Sequence, residues 1–416
     1  MNAQAKAQET LPAVPGRVRP FEKTQQPTPL LLKTLLGRDL APSREEFDGV
    51  VGALWVGDPE MDALVDWMME YGAREARAKF ETAINEGLSA VEDCPEPLRA
   101  FIRKVEKRPA WVNFDLINEG ARFIHSIGMT APYVLRDLAL MGGYLLSGFN
   151  QSLVLTGALN KGASQRVAET GKWWVDCTEI DGLKRFGPGF RSTLHVRMVH
   201  SLVRRNLNRR EDWDASEWGM PLSQVDMVAT YLGFCVVMLG GLRKLGVPVT
   251  PRESKAVMHL WKYASWLMGV EERWLVDTER QGIVLLQHTL MTQSRPDETT
   301  RELGKALADE PLERHFSHLE GIQRRLAYEK HLSMSSYFLD KEKMAQLGLP
   351  ASTLPWYPVA TLVPRFVGHV SQRYNPVLRR RQERRGRRDQ LEVLNQMFGE
   401  AEQGIIRPDS KHPGHV

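Results

Sequence analysis

The sequence predicts an all-α protein built as one large helical domain. Apolar residues recur mostly at spacings of three and four, for example over residues 63–71 and 134–145, and this repeat is typical of helices with one buried face. Strict alternation of apolar and polar residues over the length of a strand is hard to find. With 416 residues, of which 42% are hydrophobic, the chain can form an ample core.

Capping residues and prolines mark the ends of the predicted elements. Thr250, Pro251 and Glu253 have the positions of an N-cap, a first helical residue and the third residue of a capping box. The helix that they begin is predicted to end near Met268. Residues 347–364 contain four prolines, so we predict an extended strap over the helical body instead of a helix.

The chain divides into three predicted parts. Residues 1–30 are rich in Pro, Gln and Ala and lack periodicity, so we expect a flexible arm. Residues 31–365 form the predicted helical domain, with its core between residues 110 and 290. Residues 366–416 are predicted to form a basic helix and tail, because seven of the ten residues from Arg379 to Arg388 are arginines.

Composition and charge exclude several classes of protein. The three cysteines, Cys94, Cys177 and Cys235, are too widely spaced for a CxxC metal site or a disulfide framework. The net charge of +4 is too small to imply a nucleic-acid or membrane partner by itself. We read no secretory signal at the N-terminus and therefore expect a cytoplasmic protein. The apolar runs 138–160 and 227–242 are expected to be buried helices rather than membrane spans.

Residues 191–205 hold the first candidate site. On a helix with 3.6 residues per turn, Arg197 and Arg204 project from the same face as His200, whereas His195 does not. A neutral imidazole between two guanidinium groups suits an iron porphyrin, with the histidine on the metal and the arginines on the two propionates. A basic amphipathic face also produces the RxxHxxxR spacing by chance, so the spacing alone leaves both interpretations open.

A second polar group precedes this helix. Arg166, Glu169 and Thr170 share one helix face. They form either an ordinary intrahelical salt bridge or a polar patch above an apolar cavity, where they could orient dioxygen or move a proton. Trp173 and Trp174 follow directly, and they either wall such a cavity or belong to the core.

Taken together, these segments resemble the latex clearing proteins (rubber oxygenases) and the related oxygenase of the mycophenolic acid pathway. The order of the motifs carries the resemblance, which covers roughly residues 110–290. The motifs are RxxET at 166–170, FGPGF at 186–190, RxxHxxxR at 197–204, GMPLSQVDMVATYLGF at 219–234 and HLWKYASWLMGV at 259–270.

The resemblance implies a globin-like helical core that holds a non-covalent haem b. It also implies that dioxygen is the co-substrate and that the reaction cleaves carbon–carbon double bonds in an apolar, isoprenoid or unsaturated lipid-like substrate. His200 matches the axial iron ligand, and Arg197 and Arg204 match the arginines beside it. Arg166 and Thr170 match the distal arginine and threonine.

Two positions depart from the rubber oxygenases. Those enzymes carry a lysine immediately before the distal threonine, where this chain has Glu169, and simple spacing puts Asn150 in place of their distal acidic residue. Glu169 is therefore the candidate proton acceptor. These departures and the missing twin-arginine signal favour a small or membrane-dissolved substrate over natural rubber. The arginine run between Arg379 and Arg388 would then provide peripheral contact with an anionic membrane, and we expect no nucleic-acid partner.

Two alternatives to this oxygenase stay open. One is a haem peroxidase or peroxygenase, whose polar distal face handles peroxide instead of dioxygen. The other is a haem-binding helical protein without turnover. Turnover with dioxygen alone, compared with turnover with added peroxide, distinguishes the oxygenase from the peroxidase or peroxygenase. A haem-binding protein without turnover would consume no oxygen with either type of substrate.

Overall fold

The regular structure is helical throughout the part of the chain that the computed structural model describes, residues 13–157 and 163–404. No β-strand occurs in these two stretches, and the helices form one large domain, so the all-α prediction is confirmed. The α-helices are α1 (Phe21–Thr24), α2 (Leu30–Leu36), α3 (Arg44–Ala53), α4 (Pro59–Tyr71), α5 (Ala73–Asn85), α6 (Glu96–Glu106), α7 (Phe114–Ser126), α8 (Thr130–Val134), α9 (Met141–Gly143), α10 (Ser147–Leu155), α11 (Ala163–Cys177), α12 (Pro188–Leu207), α13 (Ala215–Trp218), α14 (Gln224–Leu232), α15 (Met238–Lys244), α16 (Pro251–Leu267), α17 (Glu279–Leu290), α18 (Glu298–Asp309), α19 (Glu320–Phe338), α20 (Lys341–Gln346), α21 (Trp356–Tyr374) and α22 (Pro376–Phe398).

The centre of the fold is the long contact between α7 and α16. Gly120 lets the two helices approach closely, because a Cβ atom at this position would lie 2.7 Å from the carbonyl oxygen of Ala256. α16 begins with the predicted capping box, in which Thr250 accepts from the Glu253 amide while the Glu253 side chain accepts from the Thr250 amide. The predicted end near Met268 is also confirmed, since that residue is the C-cap.

Both apolar runs form helices. Among the described residues, the one helix that is long and apolar enough to cross a membrane is Gln224–Lys244, and 67% of its most apolar stretch is buried inside the protein. The helices Thr130–Gly143 and Ser147–Leu155 meet the same criterion only as a pair, and they are bent by 95° relative to each other. Residues 158–160 of the first run lie outside the described residues.

The predicted strap over residues 347–364 is wrong for its second half, because α21 begins at Trp356. Pro358 lies in the first turn, where a backbone N–H has no intrahelical partner to lose. Pro364 lies in the interior, where it removes a single backbone hydrogen bond. The helix also continues through residues 365 and 366, where the predicted helical domain was to end and the basic segment to begin.

The basic helix α22 is part of the same helical body. It crosses α7 at Gly386, where a Cβ atom would lie 2.0 Å from the carbonyl oxygen of His125. Gln390 donates to the carbonyl oxygens of Ile124 and Gly128, which ties the next turn to the same place. The arginine run is therefore packed on one side and exposed on the other.

The predicted flexible arm is wrong for its described part. Residues 1–12 lie outside the described residues, but Arg17 is buried and docks against two distant segments, around Asp226 and around Gln293. Its Nη2 atom lies 2.5 Å from Asp226 Oδ1 and 2.9 Å from Gln293 Oε1, and its Nε donates to the Thr292 carbonyl at 2.7 Å. Composition could not reveal this docking, because the partners of Arg17 lie more than 200 residues away in sequence.

Replacing Arg17 with methionine should lower the free energy of unfolding by about 3 kcal/mol, because it leaves the buried Asp226 carboxylate without its partner. Arg210→Met is the matched control, since the ion pair of Arg210 with Asp212 is exposed and should contribute little. Urea unfolding of the two variants checks this expectation. Equal, small effects would show that the N-terminal segment is not docked.

Candidate functional site

The predicted histidine lies on α12, which begins at Pro188 within the FGPGF motif and is 20 residues long. The His200 side chain is half-buried, and its buried Nδ1 atom finds no hydrogen-bond partner among the described residues. Burial, followed by the charges of Arg204 and Arg166, lowers the pKa of His200 to about 4. The imidazole is therefore neutral at physiological pH, and its ring nitrogens are available as ligands.

The two arginines beside His200 are buried, but their charges are compensated. Arg197 makes two hydrogen bonds to Asp58, at 2.5 and 2.8 Å, and Arg204 lies 2.6 Å from Asp62. The spacing argument assumed two guanidinium groups that stand ready for anionic propionates, and the structure differs. In the described residues these groups fix α12 to the start of α4, since Asp58 is the N-cap of that helix.

Two glycines make room for these ion pairs. A Cβ atom at Gly269 would lie 2.3 Å from Asp58 Oδ2 and 2.8 Å from Arg197 Nε, and the glycine has a φ of 96°. A Cβ atom at Gly57 would lie 2.4 Å from Arg204 Nε. Gly269 belongs to the HLWKYASWLMGV motif, so the motif contributes backbone space to the arrangement around His200.

The second predicted group lies on α11, which packs along α12. Arg166 and Thr170 are exposed, whereas Glu169 is half-buried. Burial is the largest cause that lowers the pKa of the Arg166 guanidinium, although the side chain is exposed. Arg166 is also one of the charges that lower the pKa of His200, after burial and the charge of Arg204, so the two predicted motifs lie near each other.

Tyr144 is a site residue that the sequence analysis missed. Its side chain is buried, and burial raises the pKa of its phenol while the charge of Arg166 lowers it. The interaction is mutual, since Tyr144 and Glu169 both raise the pKa of Arg166. Tyr144 lies in an apolar run with no polar neighbour in sequence, so no local pattern indicated it.

Asn150 does not take the place of an acidic residue. Its Nδ2 atom donates to the Tyr144 carbonyl at 2.8 Å and to Thr299 Oγ1 at 3.2 Å, and the side chain is fully buried. An amide has no proton to exchange near neutral pH, and these bonds make Asn150 a support for the turn that carries Tyr144. Glu169 is therefore the ionisable carboxyl group among the residues predicted for the oxygen side.

An aromatic cluster adjoins these polar groups. The ring of Phe234 stacks on Trp261 at a centroid distance of 4.8 Å, and Trp173 lies 5.2 Å from Phe234. Trp173 Nε1 donates to Thr193 Oγ1 at 2.9 Å, which fixes the indole between α11 and α12. Trp174, by contrast, is buried in the main core. The two tryptophans that follow the RxxET motif thus have different roles.

Two π-helical turns lie beside this cluster and contact each other. They span Leu135–Leu140 and Gly233–Val237, and such turns occur frequently at functional sites. The second turn belongs to the long helix Gln224–Lys244, which is mostly buried. On this helix Thr230 is nevertheless exposed, and Phe234 and Val237 are half-buried. This stripe gives the aromatic cluster an open apolar side.

The residues present fit a haem group. They comprise a neutral imidazole with an unpartnered ring nitrogen, an accessible arginine facing it, and an aromatic and apolar wall. His195 is the competing imidazole on α12, because its Nε2 atom is also buried without a partner in the described part of the chain. However, its Nδ1 atom lies 2.8 Å from Glu81, on the other side of the helix.

Comparisons with known proteins support the resemblance. A solved structure of latex clearing protein in the closed state superimposes with a TM-score of 0.61 at 19% identity, covering 85% of this chain and 93% of that chain. The rubber oxygenase of Streptomyces sp. (strain K30) is 24% identical over 225 residues, which are 53% of this chain and 54% of the relative. The chain thus spans about half the length of this curated relative.

The family match covers the helices of the candidate site. The family model described as "ER-bound oxygenase mpaB/B'/Rubber oxygenase, catalytic domain" matches residues 125–373, which is more than half of the chain. The matched region contains α11, α12 and α16, the helices that carry the polar groups and aromatic cluster described above. The predicted resemblance is confirmed, and the chain belongs to the family of ER-bound mpaB-type and rubber oxygenase catalytic domains.

Proposed function

We propose that this protein is a haem b-dependent oxygenase that uses dioxygen to cleave carbon–carbon double bonds in an apolar substrate. The observation that carries the proposal is the buried Nδ1 atom of His200, which has no hydrogen-bond partner among the described residues. Burial, followed by the charges of Arg204 and Arg166, lowers the pKa of this imidazole, so it is neutral. We take the space between His200 and Arg166 as the substrate cleft. Membership of an oxygenase family supports the reaction class. The chemistry supplied by bound haem would be the activation of dioxygen.

His200 would hold the iron through a ring nitrogen. Arg204 and Arg197 position it, because their ion pairs to α4 fix the helix on both sides of the histidine. Arg204 also keeps the imidazole neutral through its charge. The propionate role expected for these arginines is not part of the proposal, since both side chains already have carboxylate partners.

The oxygen side is assigned to residues of α11. Arg166 presents N–H donors to the cleft, and its Nη1 atom lies 3.4 Å from Thr156 Oγ1. Thr170 adds a hydroxyl one helical turn away on the same face. Glu169 would accept a proton from the substrate, and Arg166 is near enough for the charges of the two groups to interact.

The substrate class follows from the wall of the cleft. Phe234, Trp173 and Val237 offer apolar surface, which suits an isoprenoid or another unsaturated lipid-like molecule. A relative is named rubber oxygenase, so polyisoprene belongs to the same class. We further propose a cytoplasmic enzyme with peripheral contact to an anionic membrane through the run from Arg379 to Arg388, and without a nucleic-acid partner.

His200→Ala should abolish haem binding, so that the purified protein lacks the Soret absorption band. His195→Ala is the matched control on the same helix, and it should retain haem because Glu81 already occupies one of its ring nitrogens. Absorption spectra of both variants after expression with added haem make the comparison. Haem loss in His195→Ala, together with haem retention in His200→Ala, would show that His195 and not His200 binds the iron.

Haem should stay bound as the pH falls from about 7 to about 5. A proton competes with iron for the same nitrogen, and the folded protein lowers the pKa of His200 from 6.5 to about 4, so protonation becomes significant only near that lower value. Titration of the Soret band, with circular dichroism to verify folding, measures this. Release with a midpoint near pH 6.5 would contradict the lowered pKa.

Glu169→Gln should leave haem content unchanged and lower substrate-dependent oxygen consumption about 100-fold, because the amide cannot accept the proton. Glu96→Gln, on the exposed surface of α6, should change neither quantity. An oxygen electrode with a squalene-like or polyisoprenoid substrate provides the rate. Wild-type activity that needs added hydrogen peroxide instead of dioxygen would favour a peroxidase or peroxygenase, and the absence of turnover would favour a haem-binding protein.

A further inference from the structure

Helix α21 lies on the body with its polar face inward. Arg365 donates to the Leu245 carbonyl at 2.9 Å, and Arg373 lies 2.8 Å from Glu253. His369 and Gln372 are buried and hydrogen bonded to each other. The contacts of the two arginines with the residue after α15 and with the first turn of α16 fix the rotation of the helix about its axis.

The opposite face of α21 is apolar and exposed. Val363 is 65% exposed and Val367 is 54% exposed, although both lie in the middle of a 19-residue helix. This arrangement is the reverse of an ordinary surface helix, which buries its apolar side. The exposed side chains that form this outer face are Trp356, Val359, Val363, Phe366, Val367 and Tyr374.

The charged groups of α21 are directed away from this face. The basic residues of the helix are Arg365, His369 and Arg373, and each makes the inward contacts described above. The helix contains no aspartate or glutamate. Aromatic residues stand at its two ends, with Trp356 at the start and Tyr374 at the end, and these two residue types favour the boundary between water and lipid.

A cationic ridge follows the outer face in sequence, on the next helix. On α22, Arg381, Arg384 and Arg388 follow Val377 at intervals of three or four residues and are exposed. Within residues 13–157 and 163–404, neither Arg381 nor Arg384 makes a salt bridge, so their charges are available to a partner. The ridge therefore attracts anions, whereas the outer face is apolar and would be stabilised by burial away from water.

We propose that the outer face of α21 and the ridge of α22 together dock on an anionic lipid bilayer, with α21 lying in the plane of the interface. An anionic bilayer matches both the outer face and the ridge. Its acyl boundary would bury the valines and Phe366, and its anionic headgroups would pair with the arginines. This assignment adds an inserted helix to the electrostatic contact of the arginine run. It rests on the membrane contact that is part of the proposed function, but not on the proposed reaction, since vesicle binding is measured without turnover.

The test is co-sedimentation of the full-length protein with vesicles of phosphatidylcholine and phosphatidylserine, compared with vesicles of phosphatidylcholine alone. We expect binding to the anionic vesicles that weakens as salt is added. The double variant Val363→Asp with Val367→Asp should lose at least about tenfold in affinity, because it places charges in the acyl boundary. The triple variant Arg381→Gln, Arg384→Gln and Arg388→Gln should lose about tenfold or more and most of the salt dependence.

Leu319→Asp is the matched control. This leucine is 72% exposed, is the N-cap of α19 and is not one of the side chains of the outer face, so its variant should bind like the wild type. All substituted side chains are exposed, and circular dichroism verifies that each variant is folded. No binding of the wild type to anionic vesicles at low salt would overturn the proposal, and so would unchanged binding of the valine variant. A wild-type dimer that the valine variant converts to a monomer, without vesicle binding, would show that a second copy covers this face instead.

Discussion

The arrangement of the site depends on two buried ion pairs that fix α12 to the start of α4. Arg197 pairs with Asp58, the N-cap of α4, and Arg204 pairs with Asp62 one turn later. Removing one partner from such a pair leaves an uncompensated buried charge, so the register of α12 is strongly determined. His200 lies between the two arginines and inherits this fixed position. Burial, followed by the charge of Arg204, keeps its imidazole neutral, which is the state that a metal requires.

A histidine on one helix becomes a site only through what faces it. Arg166 reaches the cleft from α11, and its charge acts on both His200 and Tyr144. The aromatic cluster around Phe234 closes the apolar side. Polar groups are therefore concentrated on α11 and α12, while α16 and the π-helical turns supply apolar surface. This separation suits a reaction in which an apolar substrate must contact a proton acceptor while bulk water is excluded.

Much of this could be predicted from local patterns. Helical periodicity gave the fold class, Thr250 and Glu253 gave the start of α16, and helix geometry placed His200 with its neighbours on one face. The carboxylate partners could not be predicted, because Asp58 precedes Arg197 by 139 residues. The strap prediction failed because prolines were counted without regard to position, whereas Pro358 occupies a first turn that tolerates it. The pairing of distant residues depends on the tertiary structure, and the effect of a proline depends on where its helix begins.

The exposed side of α21 is the surface that we propose to dock on a bilayer, and an apolar substrate dissolved in that bilayer would make such docking useful. The central claim nevertheless concerns one coordination bond. A crystal structure of the haem-loaded protein tests it most directly. The account predicts iron bonded to a ring nitrogen of His200, with the guanidinium of Arg166 on the opposite side of the porphyrin. Iron bonded to His195, or a cleft filled by side chains with no porphyrin in it, would contradict the account.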